Sequence, residues 1–214
     1  MYLPPKFALT PEQTAAALAD AGFAQLVSHT VEGMLVTPLP LLYDPGRHAL
    51  IGHVSRANPH RQAAGAVSVA IFAGPQGYVS PGWYPTKAET GRVVPTWNYE
   101  VLVVHGRLRV HDDPAWLREV VTRLTDRYEA GRPRPWRVDD APADYLRAQL
   151  GGIVGIELPV ERAEGKAKMS QNQPERNRAG VIAGLTAEGR RDVADRVAAH
   201  NAPPHPARAD AHTP

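Results

Sequence analysis

Asp44-Pro45-Gly46, then Ala49-Leu50-Ile51-Gly52-His53-Val54, then Ser55-Arg56-Ala57-Asn58-Pro59-His60, then Val67-Ser68-Val69-Ala70-Ile71-Phe72 follow one another in a single stretch. The first group is turn chemistry and the second an apolar strand. The third is a polar connection that opens one helical turn, and the fourth is a second apolar strand. No amphipathic crossover helix fits between the two strands, so they do not read as a βαβ unit. The pattern therefore points to an antiparallel all-strand neighbourhood.

The flanking sequence agrees. Upstream, Thr10-Pro11-Glu12-Gln13 is a capping box with Pro at the first helical position, and the short helix it opens stops near Gly22. Phe23 to Ser28 and Met34 to Tyr43 read as strands around a Glu32-Gly33 turn, with Pro38 and Pro40 assigning the second to an edge or a bulge. Downstream, Gly74-Pro75-Gln76-Gly77 reads as a turn before a short strand at Tyr78-Val79-Ser80. Residues 81–95 read as a long irregular loop, and Trp97 to Val110 as the longest strand. Asp113-Pro114 starts a helix with Trp116, Val120, Leu124 and Tyr128 spaced by four. Further helices are expected from about Pro142 to Leu150, near 175–183 and over 186–199, with a strand from Ile153 to Val160. Short strands at regular spacing, with one long helix inserted late, predict a mainly β (α+β) chain: a closed or half-closed antiparallel barrel with helices outside. Gly151-Gly152-Ile153-Val154-Gly155 precedes a strand rather than opening a helix, which argues against a dinucleotide-binding fold.

Composition narrows the function classes. The chain has 214 residues and no cysteine, which excludes a disulfide scaffold, zinc ribbons and thiol chemistry. Lys+Arg is 24 against Asp+Glu 22, a net charge of only +2, too small to imply nucleic acid by itself. No run is long and apolar enough for a transmembrane helix, and the N-terminus lacks the features of a secretory signal, so a cytoplasmic protein without a membrane partner is expected.

Three groups of residues carry candidate chemistry. Ser55, Arg56, Asn58 and His60 bring a hydroxyl, a guanidinium, an amide and an imidazole to the end of a strand, a set suited to an anion such as a phosphate. The plainer reading makes Asn58 the cap of a turn and Arg56 a solvated side chain. Trp83, Thr96, Trp97 and Tyr99 combine rings with polar edges, which suits a flat ligand or an interface between subunits. Lys166, Lys168 and Ser170 share one face if extended, forming an ammonium clamp or a solvated edge strand. The histidines lack metal-binding spacing. His60 is the one placed to meet a cofactor edge or ligate a haem iron, against the plainer reading of a surface histidine at a helix start.

Taken in order, several motifs resemble the PaiB family of FMN-binding negative transcriptional regulators. These are Met1-Tyr2-Leu3-Pro4, Gly52-His53 through Asn58-Pro59, Tyr78-Val79-Ser80-Pro81, Val94-Pro95-Thr96-Trp97-Asn98-Tyr99, and Lys168-Met169-Ser170-Gln171-Asn172. The resemblance implies the split β-barrel shared with flavin reductases and pyridoxamine oxidases, a homodimer, and FMN at the subunit interface. On that reading residues 1–185 are the barrel domain, 186–200 a C-terminal helix packed on it, and 201–214 a disordered tail. FMN would meet Ser55, Arg56, Asn58, His60, Trp83, Thr96, Trp97, Tyr99, Lys166, Lys168 and Ser170. The function is then a regulator or a flavin-dependent oxidoreductase acting on a small molecule. A branch of similar proteins uses haem b to form an N–N bond, and there His60 would be the axial ligand. In this chain the aromatic usual after Asn-Pro-x is Arg61. A DNA partner draws no support from the C-terminal helix, where Arg190, Arg191 and Arg196 alternate with Glu188, Asp192 and Asp195.

Overall fold

The computed structural model describes residues 1–202. Among them lie nine strands: β1 Phe23–Thr30, β2 Gly33–Pro40, β3 Leu42–Asp44, β4 Ala49–Ser55, β5 Val67–Val79, β6 Thr96–Arg107, β7 Arg109–His111, β8 Ile153–Pro159 and β9 Arg162–Lys168. The helices are α1 Pro11–Ala19, α2 Thr86–Thr90, α3 Pro114–Glu129, α4 Ala143–Gly151, α5 Glu175–Ala187 and α6 Arg191–His200. Strands run β2-β1-β5-β6-β9 in one sheet and β3-β4-β8-β7 in the other. The ladders of β1 with β2 and β5, and of β4 with β3 and β8, are antiparallel. No helix among the described residues is long and apolar enough to cross a membrane.

Two expected strands are each divided between the sheets. The stretch 34–43 breaks at Leu41, which is fully buried and donates its N–H to the Gly22 carbonyl at 2.8 Å. The stretch 97–110 breaks at Leu108, also buried, which donates to the Ala66 carbonyl at 3.0 Å. At both corners a leucine anchors the bend in the core and the freed backbone donor finds a carbonyl, so neither break leaves an orphaned amide.

Other local signals behaved differently. The expected turn at Gly74-Pro75-Gln76-Gly77 is extended, and β5 runs through it. Gly77 packs there against Leu185 and Val193, and a Cβ would lie 3.3 Å from the Leu185 side chain. The loop 81–95 contains a 3-10 turn at Pro81–Trp83 and then α2, closed by Gly91 at φ 65°. The break expected between the helices near 175–183 and over 186–199 falls instead at Gly189, which has φ 75°. The capping box at Thr10 and Gln13 is formed.

The described chain groups into two compact units, one of Met1–Leu3, Ala8–Gly74 and Val101–Lys166, the other of Pro4–Phe7, Pro75–Glu100 and the described residues from Ala167 on. The first has a core built from Leu26, Leu50, Val104, Ile156 and Leu158, all fully buried. Beside it α3 lays Val120 and Leu124 on Leu42 and Ile51. The turn after β3 is locked to α3 by ion pairs: Asp44 accepts from Arg47 at 2.5 Å and Arg123 at 2.6 Å, and Arg47 reaches Glu119 at 2.7 Å. Burial alone would raise the Asp44 pKa, but the two guanidinium hydrogen bonds outweigh it and hold the carboxyl far below its ordinary value. In the second unit Val181, Leu185, Val193 and Val197 are the buried faces of α5 and α6. Of the expected 201–214 tail, residues 203–214 lie outside the described residues. Asn201 donates to the carbonyls of Met169 and Val197.

Candidate functional site

A cleft of ≈ 510 Å³ opens in the first unit between β2, the end of β4 and the junction of α4 with β8. Pro38 and Pro40 give the β2 wall an apolar surface with no backbone donors. The β4 wall supplies His53 and Ser55, which share a face because successive strand residues alternate. Asn58 and Thr37 complete the polar side, with Gln149 opposite. The turn that carries Asn58 forms because its side chain caps the 3-10 segment Pro59–Gln62, and Pro59 needs no donor at the first position.

His53 is the unusual member of this set. Its Nδ1 is buried and has no hydrogen-bond partner among the described residues. Burial holds its pKa below the ordinary histidine value, so the ring is neutral at neutral pH. A buried polar atom without a partner costs free energy, and this one belongs to a residue that lines the cleft.

His60, by contrast, is 1% exposed, with Nδ1 2.8 Å from Thr37 Oγ1 and Nε2 3.1 Å from Ser28 Oγ. An iron ligand needs a free lone pair facing open space. Both nitrogens of His60 are engaged inside the protein, so the residues do not fit a haem held by His60. No cluster of three or more metal-ligating side chains occurs among the described residues.

The other anticipated residues divide between the units. Arg56 adjoins the cleft in sequence, but its guanidinium is bidentate on Asp112 at 2.9 and 2.5 Å and donates to the carbonyls of Gly151 at 2.7 Å and Ile153 at 3.0 Å. It straps the end of β4 to the start of β8. Lys166 is buried in the first unit, where its ammonium donates to the Tyr2 carbonyl at 3.1 Å. In the second unit Lys168 donates to Thr96 Oγ1 and to the Trp97 carbonyl, the latter at 2.6 Å. Ser170 lies beyond the end of β9 at φ 62° and bonds Asn98 at 3.0 Å, so it does not continue the face of Lys166 and Lys168. Trp83 packs on α5, where a Cβ on Gly184 would lie 2.2 Å from its ring. Trp97 is 53% exposed and stands edge-on to Tyr78, with ring centroids 6.3 Å apart, while Tyr99 is half-buried.

Reading the sequence alone singled out Ser55 and Asn58 but passed over His53 and Thr37. The alternation of β4 carried a signal for His53, which lies two residues before Ser55 and so on the same face. Thr37 carried none, since only the fold brings β2 beside β4.

Comparison with known proteins adds the family. An uncharacterised protein of Emericella nidulans is 34% identical over 164 residues, 64% of this chain and 65% of that protein. The match thus spans just under two thirds of that relative's length. The Bacillus subtilis "Protease synthase and sporulation protein PAI 2" is 29% identical over 193 residues, 88% of this chain and 90% of that protein. Among solved structures, the FAD and haem binding protein of Mycobacterium smegmatis aligns with a TM-score of 0.55 at 18% identity, covering 74% of this chain and 71% of that one. This is likeness of fold, the antiparallel split barrel that the sequence motifs implied. The family model described as "Putative FMN-binding domain" matches residues 1–162, and the chain belongs to that family, with the PaiB-type proteins.

Proposed function

We propose that this chain is an FMN-binding split-barrel flavoprotein that holds its cofactor in the cleft beside His53. The observation that carries this is a ≈ 510 Å³ cleft within the region matched by the family model, lined by His53, a residue whose buried Nδ1 has no partner among the described residues. The volume lies in the range of small-molecule sites, about 300–1,000 Å³. The donor set fits a phosphorylated, planar ligand. Ser55 and Asn58 offer a hydroxyl and an amide to phosphate oxygens, His53 meets a polar edge, and Pro38, Leu39 and Val54 face its apolar surface. FMN, when bound, supplies redox chemistry at its isoalloxazine, and the protein's part is to bind it, orient it and exclude water. The cleft lining holds no cationic side chain, and Arg56 is spent on Asp112. A second subunit would complete the charge balance.

The sheet face formed by β2, β1 and β5 supports a homodimer. Val36, Val27 and Val69 lie side by side across the three strands, as do Met34, His29 and Val67. Met34, Val36 and Val67 are 60%, 59% and 56% exposed. Adjoining apolar side chains of this kind mark an association surface, and Thr37 to Pro40 of the same strand wall the cleft. A flavin oxidoreductase is favoured over a DNA reader. At the C-terminal helix two of the three arginines are occupied, with Arg196 on Glu100 at 2.8 Å and Arg190, just before α6, on Asp192 at 3.3 Å.

The test is an absorption spectrum of the purified protein, followed by titration with FMN monitored by quenching of flavin fluorescence. A colourless protein that takes up no added FMN rejects the reading. Light scattering of wild type and Val36→Glu tests the dimer. The expected result is a dimer that the variant breaks, and a monomeric wild type overturns it.

A further inference from the structure

The polar residues behind the cleft form one continuous chain, and its direction can be worked out from both ends. Ser68 Oγ donates to the Ala66 carbonyl at 3.0 Å, because a carbonyl can only accept. The single Ser68 proton is thereby used, so in the 2.7 Å contact between the hydroxyls Ser28 donates to Ser68. Ser28 must then accept from His60 Nε2 at 3.1 Å, which places the ring proton on Nε2. His60 is buried among neutral groups on this path, and Nδ1 is left as an acceptor for the Thr37 hydroxyl at 2.8 Å. Thr37 has spent its proton, so it accepts from Asn58 Nδ2 at 3.1 Å.

The other end gives the same answer independently. The backbone N–H of His60 lies 2.9 Å from the Asn58 side-chain oxygen and can only donate to it. That contact puts the amide oxygen toward the turn and the amide nitrogen toward Thr37, as the chain from Ser68 requires. One Asn58 N–H is then used by Thr37. The second has no partner among the described residues, on a residue that lines the cleft.

We propose that His60 is a positioning residue: locked as its Nε2–H tautomer, it fixes Thr37 and through it the Asn58 amide, so that the cleft presents an N–H to an acceptor oxygen of its ligand. The chain ends on the Ala66 carbonyl, which has no proton to pass on, so it orients and does not conduct. If Thr37 were released from His60, its hydroxyl would turn to the Asn58 oxygen, 3.4 Å away, and the amide would lose the acceptor on its nitrogen, keeping only the capping bond from the His60 backbone N–H as its second constraint. As applied to FMN, this rests on the reading of the cleft given above.

The tautomer is tested on FMN-free, 15N-labelled protein by long-range histidine spectroscopy, with the His60 signals assigned by their loss in His60→Gln. A protonated Nε2 and an unprotonated Nδ1 are expected. The reverse pattern, or a doubly protonated ring at neutral pH, overturns the assignment. FMN titration then tests positioning. Gln carries an acceptor and a donor spaced much as the ring nitrogens are, so His60→Gln should bind within about threefold of wild type. His60→Leu and Thr37→Val, which cut the chain at different links, should each weaken binding about tenfold, the effect of one well-placed hydrogen bond to an anionic acceptor. Thermal melts confirm that each variant is folded. If His60→Leu does not fold, Thr37→Val alone decides. Wild-type affinity in folded Thr37→Val overturns the proposal. Failure of wild type to take up FMN would reject the cofactor reading, whereas the tautomer spectrum needs no ligand and stands or falls separately.

Discussion

Replacing His53 by leucine should stabilise the ligand-free protein while weakening its hold on FMN. Leucine is close to histidine in size and removes the one buried side-chain atom among the described residues that lacks a hydrogen-bond partner. A buried unsatisfied polar group costs about 1–3 kcal/mol, and the lower end applies here because the rest of the ring is only partly buried. The gain is therefore about 1 kcal/mol, which for a chain of this size raises Tm by about 2–4 °C. The ligand would lose one hydrogen bond, again about 1 kcal/mol, or roughly fivefold in Kd. Differential scanning calorimetry of the ligand-free protein reads the first effect and flavin fluorescence quenching the second. A lower Tm in His53→Leu would mean that Nδ1 is satisfied in the native state. An unchanged Kd would remove His53 from the binding site. The two effects run in opposite directions, so a general disruption of the fold cannot imitate them.

Three other outcomes follow from the packing and the charges. Gly155→Ala should destabilise the fold by about 1–3 kcal/mol in urea unfolding, because the new Cβ would lie 2.0 Å from the Trp116 ring, which is stacked on His111 with centroids 4.2 Å apart. Wild-type stability would contradict that packing. Acid should destabilise the protein through His53 and His60, whose pKa values burial lowers. The unfolded chain then binds more protons as pH falls through about 6.5. The stability they confer is full above that pH and declines below it, toward their folded pKa values. Urea midpoints at pH 7.5 and 5.5 should show the drop, and His60→Gln should make it shallower. Asp44→Asn should cost about 1–2 kcal/mol in the same assay. The variant removes the carboxylate that Arg123 and Arg47 share, but both still reach Glu119 and both guanidiniums are about a third exposed, so the loss is below that of a fully buried pair. An unchanged midpoint would show that the cluster adds nothing.

The elements that local chemistry specifies were legible in the chain. Thr10, Pro11 and Gln13 form a capping box wherever they fall, and Asp113-Pro114 starts a helix for similar reasons. β5 was readable because its first half alternates between core and surface, and β4 because it is a short apolar run buried over Ala49 to Gly52. The ends of elements were harder to read when a glycine served packing rather than conformation. The expected gap between residues 183 and 186 holds Gly184, which lies within α5 beneath the Trp83 ring, and Gly189 provides the left-handed turn. Gly77 resembled a turn residue and lies in an extended strand packed against Leu185 and Val193.

The candidate site divides along the same line. Ser55, Asn58 and Pro59 announced a capped polar turn at the end of a strand, because backbone donors at a helix start demand such residues. Arg56 carried the same anion-binding promise in sequence, yet its direction was set by Asp112 and two carbonyls from distant parts of the chain. His60 resembled a surface histidine until Ser28 and Thr37, from β1 and β2, closed over both its nitrogens. The sequence by itself located most of the strand-forming stretches, the capped turns and the family, because these depend on neighbouring residues and on ordered motifs. The tertiary structure alone decided which polar groups face the cleft and which are consumed inside, because hydrogen-bond partners far apart in sequence meet only when the sheets are assembled.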